Sequence, residues 1–561
     1  MNKYKILLIK PKDQADFLNS SIANKALGKA ALFPSLSLLT IAGLTPSDDF
    51  TVEIFDECLG VNLEDSGLEA DIYGLTCFDP SRHRAHEICR SLKEQGKFVV
   101  LGGPHATQHH ESIRQQQPYD VVFVGDAELT WPRFLGDWLK KKHQPLYLET
   151  ERVSLEHTPV ARYDLCSSQN YLTAIVQTSR GCPYKCEFCD SIVLSGNKMR
   201  TKPIEVVMQE IDQVYQLGFP SLLIGDDNFT AARNYAKEVL RRIAEWRKDK
   251  DPLFQLAAQV SIDVARDDEL CELMVSAGLV FAYIGIESSS KDALKGANKL
   301  HNLRTDIPAD IAKLHSYGIN VMSGLIVGFD EDGPDIFSSH VDYTDELHIP
   351  VCPVYLLMAP SGTPLRKRLE REGRIDGEFV SEDLFVTNVI PKRMSSEDLL
   401  AGYRWMTTQL FNTEIFVRRV AEKFRMFRTR GVAPNGTNNW AIRLKHYRMG
   451  LAILSYCALH PQAALELIEP LGKLMPVMIR RPNFTIDILN DILLFIRFKS
   501  YYKKADIFQD ALKDAPRPET WMQAIDNSSR DQQALGSQTQ PSQPEQHQND
   551  QDTARPVRPS L

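Results

Sequence analysis

The chain has 561 residues, 43% of them hydrophobic and 25% charged, which is enough for three or four domains with apolar cores. Its formal net charge of −8 gives no reason to expect nucleic-acid binding, and no segment approaches the roughly 18 apolar residues that would span a bilayer. The N-terminal sequence lacks the apolar run and the small-residue cleavage site of a signal peptide. We therefore expect a soluble, cytoplasmic protein that does not bind nucleic acid.

The first 146 residues alternate short apolar runs with polar, helix-compatible stretches. Five of these runs are predicted strands: KILLIK, TVEIFD, DIYGLTCF, KFVVLGG and YDVVFVG. Buried strands that alternate with helices are typical of a parallel, doubly wound sheet, in which the ligand lies beyond the carboxyl ends of the strands. We expect such an α/β domain over residues 1–146, followed by a linker over residues 147–172.

The same alternation resumes at residue 173. Six predicted strands follow: AIVQTSR, SLLIGDD, FQLAAQVS, FAYIGIE, NVMSGLIVGF and VCPVYLLM. Six such strand–helix units within residues 173–375 predict a partial (β/α)6 barrel rather than a second flat sheet. The catalytic groups of a barrel belong at the carboxyl ends of its strands.

Short apolar runs typical of strands become rare after the barrel, and residues 376–527 are predicted to form an α-helical domain. The segment SSEDLLAGYRWMTTQLF begins with Ser-Ser-Glu-Asp, which suits a helix N-cap followed by acidic residues in the first turn. Residues 528–561 are rich in Gln, Ser, Pro and Asp and nearly free of large apolar residues, so we expect a disordered tail.

Cations and aromatic residues are interleaved in two parts of this helical region. One interpretation is a solvated basic helix face, and the other is peripheral docking on an anionic inner membrane to collect a lipid substrate. The second part is FIRFKSYYKK, residues 495–504. The first part contains Phe416, Arg418, Arg419, Lys423, Phe424, Arg425, Phe427, Arg428, Arg430, Trp440, Arg443, Lys445, Tyr447 and Arg448.

Three of the ten cysteines fall within eight residues, in the segment TSRGCPYKCEFCD. Cys182, Cys186 and Cys189 have C-x3-C-x2-C spacing and directly follow a predicted strand. Three thiolates on a compact loop can hold three corners of a cubane iron–sulfur cluster, and one iron would stay open because no fourth cysteine is nearby. The alternative is a zinc site completed by a distant Cys or His, although the paired C-x2-C modules typical of zinc sites are missing from the sequence.

This segment resembles the radical S-adenosylmethionine (SAM) superfamily, whose C-x3-C-x2-C loop carries an aromatic residue before the last cysteine, here Phe188. The resemblance implies a catalytic [4Fe–4S] cluster on the three cysteines, with SAM bound to the open iron. It also implies that an electron from a flavodoxin- or ferredoxin-type reductant cleaves SAM to methionine and a 5′-deoxyadenosyl radical.

Other segments resemble the family's SAM contacts in their order and position. The implied SAM-binding residues are Phe188, Asp226, Asp227, Gln259, Ser261, Glu287, Gly324, Ile326 and Gly328. By position, one of the two aspartates would accept the methionine ammonium, the glutamate would bond the ribose hydroxyls, and the last three residues would contact adenine. Relatives often carry an acid in place of Gln259, so this position departs from the common pattern.

Residues that follow three of the N-terminal strands resemble the cobalamin-binding domain that precedes many radical SAM domains. The implied cobalamin contacts are Thr76, Gly102, Gly103, Pro104, Gly125 and Glu128. The glycines would let the backbone approach a bulky ligand closely. The alternative is an ordinary doubly wound domain with glycine turns.

One class of cobalamin proteins supplies a histidine to cobalt from the motif D-x-H-x-x-G, and this motif is not met. Asp79 and His83 have D-x3-H spacing, and no glycine follows. We expect the histidines of this region to be surface or packing residues rather than cobalt ligands. They are His83, His86, His105, His109 and His110.

Over residues 1–430 these segments resemble one subgroup, the hopanoid C-2 methylases and their relatives. The matching phrases are FPSLSLLTIAGL, SRGCPYKCEFCDSIVLSGNKMRTK, GDDNFTAARN, FAYIGIES, GLIVGFD and APSGTPLRKRLEREGRI. The resemblance implies methyl transfer to an unactivated carbon of a small natural product or lipid. Two alternatives stay open: oxidation, cyclisation or rearrangement on the same architecture, and a non-catalytic cluster or corrinoid sensor.

Overall fold

A computed structural model describes residues 3–13, 24, 27–116, 118–251, 253–377, 385–427, 455 and 459–522. Its first sheet has six parallel strands in the order β2-β1-β3-β4-β5-β6. The strands are β1 (Tyr4–Lys10), β2 (Phe50–Asp56), β3 (Ile72–Thr76), β4 (Val99–Gly102), β5 (Val121–Val124) and β6 (Leu146–Leu148). The predicted sheet is confirmed, and β6, which is only three residues long, was not predicted.

Helices cover both faces of this sheet. Because successive side chains of a strand point to opposite faces, Ile6 and Leu8 pack into one apolar cluster, whereas Leu7 and Ile9 pack into another. The helices are α1 (Leu36–Leu44), α2 (Arg82–Glu94), α3 (Pro104–Gln116) and α4 (Thr130–Leu139). Since β2 and β3 lie on opposite sides of β1, a crevice opens at the carboxyl ends of β1 and β3, where doubly wound sheets bind their ligands.

The second sheet also has six parallel strands, and here their order follows the chain. They are β7 (Ala174–Val176), β10 (Ser221–Ile224), β11 (Gln255–Val260), β12 (Leu279–Glu287), β13 (Asn320–Val327) and β14 (Val354–Leu356). A short antiparallel pair, β8 (Ser179–Arg180) and β9 (Arg200–Thr201), branches off after β7. All six strands coincide with predicted ones, so the partial barrel is confirmed.

Eight helices of the described chain accompany this sheet. They are α5 (Ser191–Leu194), α6 (Ile204–Gln216), α7 (Arg233–Trp246), α8 (Asp268–Ala277), α9 (Lys291–Gly296), α10 (Ile307–Ser316), α11 (Ile336–Glu346) and α12 (Pro364–Arg371). The segment predicted as a linker packs on the first domain, because Ala31 pairs with Tyr171 in a parallel bridge and the Tyr171 hydroxyl donates to Asp56 at 3.0 Å. The exact domain boundaries stay predictions.

Four further helices follow the barrel: α13 (Ser396–Leu410), α14 (Thr413–Met426), α15 (Pro461–Arg480) and α16 (Thr485–Lys504). The predicted N-cap of α13 is confirmed, since the Ser395 hydroxyl accepts a hydrogen bond from the Asp398 N–H at 3.0 Å. Among the described residues, no helix combines the length and apolarity needed to cross a bilayer. The tail predicted over residues 528–561 lies outside the described residues.

Both interpretations of the basic and aromatic segments are wrong for most of the residues that the structure describes. Phe416, Phe424 and Phe427 are buried, and so are Arg419 and Lys423, because α14 packs between α10 and α16. In the second segment the side chains of Phe495, Phe498, Lys499 and Tyr502 are likewise buried. Arg428, Arg430, Trp440, Arg443, Lys445, Tyr447 and Arg448 lie outside the described residues.

A buried ion pair attaches the helical region to the barrel. The ammonium of Lys423 contacts the carboxylate of Asp491 on α16 and donates to the Asn320 side-chain oxygen at 2.7 Å, at the start of β13. Asn320 in turn donates to Asp491 at 3.1 Å, which closes a three-residue network. Burial lowers the pKa of Lys423, while Asp491 opposes this effect.

We predict that Asp491→Ala lowers the free energy of unfolding by about 3–5 kcal/mol, because it leaves a buried ammonium without its counter-charge. Urea unfolding at neutral pH measures this change. The matched control is Glu422→Ala, which breaks the exposed pair with Arg425 and should cost at most about 1 kcal/mol. An Asp491→Ala protein with the unfolding midpoint of the wild type would contradict the prediction.

Candidate active site

The three cysteines lie on the loop that joins β8 to β9. Gly181 opens this loop with φ of +96°, a left-handed conformation that suits glycine, and a Cβ there would lie 2.4 Å from the carbonyl oxygen of Lys198. The Gly181 N–H donates to Asp227 at 2.8 Å, and the Cys182 N–H donates to the carbonyl of Gly196 at 3.2 Å. The backbone thus turns sharply just before the first cysteine.

The far side of the loop is fixed to the barrel. The Glu187 N–H donates to the Ala297 carbonyl at 3.0 Å, and the Asn298 side chain donates to the Lys185 carbonyl at 2.7 Å. Arg368 on α12 donates to both carboxylate oxygens of Glu187, at 2.7 and 3.2 Å. These contacts hold the segment around Cys186 without any contribution from a metal.

The three thiols lie close enough to influence one another, since, besides burial, Cys189 and Cys182 both act to raise the pKa of Cys186. Burial raises the pKa of all three thiols, that of Cys186 to about 11, so bound metal would have to stabilise the thiolates.

Asp226 is buried and holds the start of the cysteine loop through hydrogen bonds. Its carboxylate accepts hydrogen bonds from the N–H and the hydroxyl of Thr178, both at 2.6 Å, and from the hydroxyl of Ser179 at 2.7 Å. Burial raises the pKa of Asp226, although these donors act in the opposite direction. Since both oxygens are engaged, the structure does not favour Asp226 as the acceptor of a methionine ammonium. Asp227 keeps one carboxylate oxygen beyond the one that receives Gly181.

A polar group that the sequence did not reveal lies beside Cys182. The Asn228 side chain donates to the Ser261 hydroxyl at 2.5 Å and is 4.0 Å from the Cys182 sulfur. Tyr184 stacks on His301, with ring centroids 3.8 Å apart. The predicted residue Ser261 therefore lies near the cluster loop. Gln259 has an exposed side chain, and only its carbonyl is used here, as the acceptor of the Phe229 N–H.

The end of β12 is strained and charged. Glu287 has φ of +68°, which is unusual for a residue with a side chain, and it sits at a register shift between β12 and β13. Its carboxylate accepts from Lys299 at 2.9 Å. Burial lowers the pKa of Lys299, but Glu287 and Cys186 more than offset this effect, so the pKa is raised. Lys299 was not predicted, because no motif marks a lysine twelve residues from its partner.

The predicted adenine segment is shaped by packing inside the barrel. A Cβ at Gly324 would lie 2.4 Å from the Tyr283 hydroxyl, and Gly328 has φ of +108°. Ile326 and Phe188 pack against the same apolar cluster, and the Phe188 and Phe329 rings are 5.9 Å apart. The cysteine loop and this segment therefore meet in one apolar layer.

At the carboxyl edge of the first sheet, two glycines are required by contacts within the protein. Gly103 has φ of +104°, and its Cβ would lie 2.7 Å from the Cys77 carbonyl oxygen. Gly125 has φ of +86°, and its Cβ would lie 2.4 Å from the Glu149 carboxylate. Gly102 is less crowded, since the only atom within 4 Å of an added Cβ is the Cβ of Phe123, at 3.5 Å. The protein itself thus requires glycine at both positions, and their contacts with cobalamin stay predictions.

The remaining edge residues have different surroundings. Pro104 begins α3, and Thr76 ends β3 with its hydroxyl 3.5 Å from that of Ser37. Glu128 accepts from Arg180 at 2.8 Å and from the Thr158 hydroxyl at 3.3 Å. Both contacts fall on the same carboxylate oxygen, and the cobalamin contact of Glu128 stays a prediction.

Arg180 and Arg200 connect the two sheets. Arg180 contacts Asp126 at 3.1 Å as well as Glu128, and Arg200 contacts Asp126 at 2.7 Å. Burial favours the protonated form of Asp126, but the two arginines outweigh it and lower its pKa. The cysteine loop thus begins at a charged junction with the carboxyl edge of the first sheet.

Comparison with known proteins also identifies the barrel and its cysteine loop as a radical SAM domain. Residues 176–343 match the family model described as the radical SAM superfamily, and residues 363–461 match a domain of unknown function, DUF4070. An uncharacterized methyltransferase of Synechocystis sp. is 29% identical over 416 residues, which are 74% of this chain and 77% of that protein. The hopanoid C-2 methylase of Rhodopseudomonas palustris is 32% identical over 348 residues, 62% of this chain and 66% of the methylase.

The fold has solved counterparts. The cobalamin-dependent SAM radical enzyme OxsB, with aqua-cobalamin and SAM bound, aligns with a TM-score of 0.55 over 93% of this chain and 84% of OxsB, at 16% identity. This likeness includes both sheets and the helical region, and it shows the fold alone. The sequence comparisons identify the barrel as a radical SAM domain and show that the chain is similar to proteins named as a methyltransferase and a methylase. The chain belongs to the cobalamin-binding radical SAM family.

Proposed function

We propose that this radical SAM enzyme is a cobalamin-dependent methyltransferase that places a methyl group on an unactivated carbon of a lipid or natural product. The observation that carries the proposal is the junction at Arg180, which joins the start of the cysteine loop to Asp126 and Glu128 on the first sheet. A cluster on the loop and a corrin on the sheet edge would share one cavity. Methyl transfer needs this proximity, because the reacting groups must be held within contact distance.

The cysteine loop would hold the first cofactor. Cys182, Cys186 and Cys189 would ligate a [4Fe–4S] cluster, which supplies an open iron for SAM and the electron that cleaves it. Asp226 keeps the start of the loop in place, and Phe188 excludes water from its apolar side. Of the two candidate aspartates we favour Asp227 for the methionine ammonium, because its second oxygen is available.

Other SAM contacts would come from the strand ends. Lys299 holds the Glu287 carboxylate at 2.9 Å, in a position that suits hydrogen bonds to ribose hydroxyls. Gly324, Ile326 and Gly328 would border adenine, with the apolar cluster that includes Phe329 behind them.

The first sheet would hold cobalamin along its carboxyl edge, near Thr76, Gly102, Gly103 and Pro104. When bound, the corrin supplies a carrier for the methyl group. Two features support this position: Gly102 has little around it, and the aromatic side chain of Phe78, just beyond β3, is 45% exposed. OxsB, which shares the fold, binds aqua-cobalamin and SAM. Gly125 and Glu128 would contribute through the protein contacts that they already make.

We predict that anaerobic protein reconstituted with iron, sulfide, cobalamin, SAM and reductant forms methylated product with equal amounts of S-adenosylhomocysteine and 5′-deoxyadenosine. One SAM loses its methyl group, and a second takes one electron and a substrate hydrogen atom to give methionine and 5′-deoxyadenosine. Hopanoid lipids are the first substrates to test, given the methylase relative. Chromatography with mass spectrometry measures all three products.

The Cys186→Ala variant should form none of these products, because it removes a cluster ligand, whereas Cys166→Ala should match the wild type. Cys166 is a partly buried cysteine far from the loop in sequence. Release of 5′-deoxyadenosine alone would replace methylation with oxidation or rearrangement, and release of neither nucleoside would favour a sensor.

The reductant is proposed to be an acidic flavodoxin- or ferredoxin-type protein. Lys185, which lies between two of the cluster cysteines, is exposed, and Asn298 fixes its backbone. A cation at this point would attract an acidic donor protein toward the cluster.

For Lys185→Glu we predict a KM for flavodoxin several-fold above that of the wild type, with an unchanged rate when dithionite supplies the electrons. Lys248→Glu, which reverses an exposed charge after α7 at the other end of the barrel, is the matched control. Equal flavodoxin kinetics in the three proteins would argue against docking at Lys185.

Peripheral contact with an anionic inner membrane is proposed at a different surface from the one predicted. Ile468, Met475 and Ile479 on α15 are 60%, 47% and 73% exposed, and their spacing puts them on one helix face. Arg480 lies beside them and forms no salt bridge with any residue of the described ranges. An apolar stripe next to a cation suits an anionic lipid surface, from which a lipid substrate could be collected.

Flotation with vesicles of phosphatidylglycerol and phosphatidylethanolamine tests this contact. The wild type should float with the vesicles, and the double variant Ile468→Glu, Ile479→Glu should stay in the dense fraction. Leu148→Glu, at an exposed apolar residue on β6, should float like the wild type. A wild type that never floats, or a double variant that floats equally, would exclude docking through α15.

A further inference from the structure

A cluster of metal-ligand side chains lies at the carboxyl edge of the first sheet, apart from the three cysteines. Asp79 follows β3, and His105 and His109 lie one turn apart on α3. One ligand atom from each of the three residues can be chosen so that all lie within 4.8 Å of one another. The two imidazole rings are 4.8 Å apart between centroids. The sequence analysis had suggested surface or packing histidines, because the D-x-H-x-x-G motif is not met.

His105 is held in a defined orientation. Its Nδ1 and the Asp79 carboxylate oxygen are 2.5 Å apart, and the backbone N–H of His105 donates to the Cys77 carbonyl at 3.0 Å. The Asp79 oxygen and the His105 Nδ1 therefore face each other, and both could be ligands of one ion.

We propose that Asp79, His105 and His109 bind a divalent first-row transition-metal ion, for which zinc is the simplest probe. Two imidazole nitrogens and one carboxylate oxygen are ligands that such ions accept. Helix α3 is kinked at His109, whose φ is −122°, and the two rings lie 4.8 Å apart between centroids. Three protein ligands leave at least one position for water or a substrate oxygen.

The location of the three ligands suggests a role for the open coordination position of the ion. The side chains of Asp79 and His105 are 13% and 10% exposed, so the group is largely buried but reachable. Helix α3 packs against α5, which begins two residues after Cys189. The ion would therefore lie in the cleft between the two sheets, where it could bind a polar oxygen of the substrate. The proposal does not depend on methyl transfer.

The test uses the full-length protein with its reconstituted iron–sulfur cluster and without added cobalamin. After incubation with zinc chloride and removal of unbound metal, elemental analysis should find about one zinc per chain in the wild type. His109→Ala should retain none, and Asp79→Asn should retain less zinc than the wild type, because it replaces an anionic carboxylate ligand with a neutral amide. His110→Ala is the matched control, because this histidine adjoins His109 and its ring contacts the Thr107 carbonyl at 3.3 Å.

Two further measurements separate this site from the others. Zinc retained by the wild type but lost from the Cys182→Ala, Cys186→Ala, Cys189→Ala triple variant would place the ion on the cysteines and overturn the proposal. Equal zinc content in wild type and His109→Ala would do the same. The last measurement is the absorption spectrum of hydroxocobalamin added to the protein. If zinc never binds and His105→Ala changes this spectrum, His105 is a ligand of the corrin cobalt and the zinc proposal is wrong. Circular dichroism melting confirms that each variant is folded.

Discussion

The position of the three cysteines depends on one buried carboxylate. Asp226 ends β10 and accepts three hydrogen bonds from Thr178 and Ser179, so it ties two neighbouring barrel strands together where the cysteine loop begins. Without these donors the cost of burying the charge would be several kcal/mol. Asp227 extends the support by one residue, since it receives the N–H of Gly181, whose left-handed backbone starts the loop. The protein's own contacts therefore position the start of the loop that carries the thiols.

Three consecutive residues of β8 and the loop each bond a different part of the molecule. Ser179 bonds Asp226 in the barrel, Arg180 bonds Asp126 and Glu128 on the first sheet, and Gly181 bonds Asp227. Because the carboxyl ends of both sheets converge on this segment, one cleft can contain the ligands of both domains. The same cleft is bordered by His105 of α3. A small shift of β8 would disturb the barrel, the interface and the cysteine loop together.

The sequence predicted the features that local patterns encode. The six barrel strands, the doubly wound sheet and the Ser395 N-cap are confirmed, since short apolar runs, helical spacing and the sequence Ser-Ser-Glu-Asp encode them locally. Features that depend on contacts between distant residues were missed or misread. Lys299 reaches Glu287 past helix α9, Asp79 after β3 reaches His105 after β4, and Lys423, which looked like a surface cation, is buried against Asp491. For Gly103 and Gly125 the sequence could not reveal that the protein's own neighbouring atoms require glycine.

Three thiolates should leave one iron of the cluster open for SAM. Electron paramagnetic resonance of the reduced, reconstituted protein can detect this, together with electron–nuclear double resonance on SAM labelled with nitrogen-15 at its amino group. We expect SAM to change the cluster spectrum and the labelled nitrogen to couple to the cluster. A spectrum identical with and without SAM, with no nitrogen-15 coupling, would contradict this expectation.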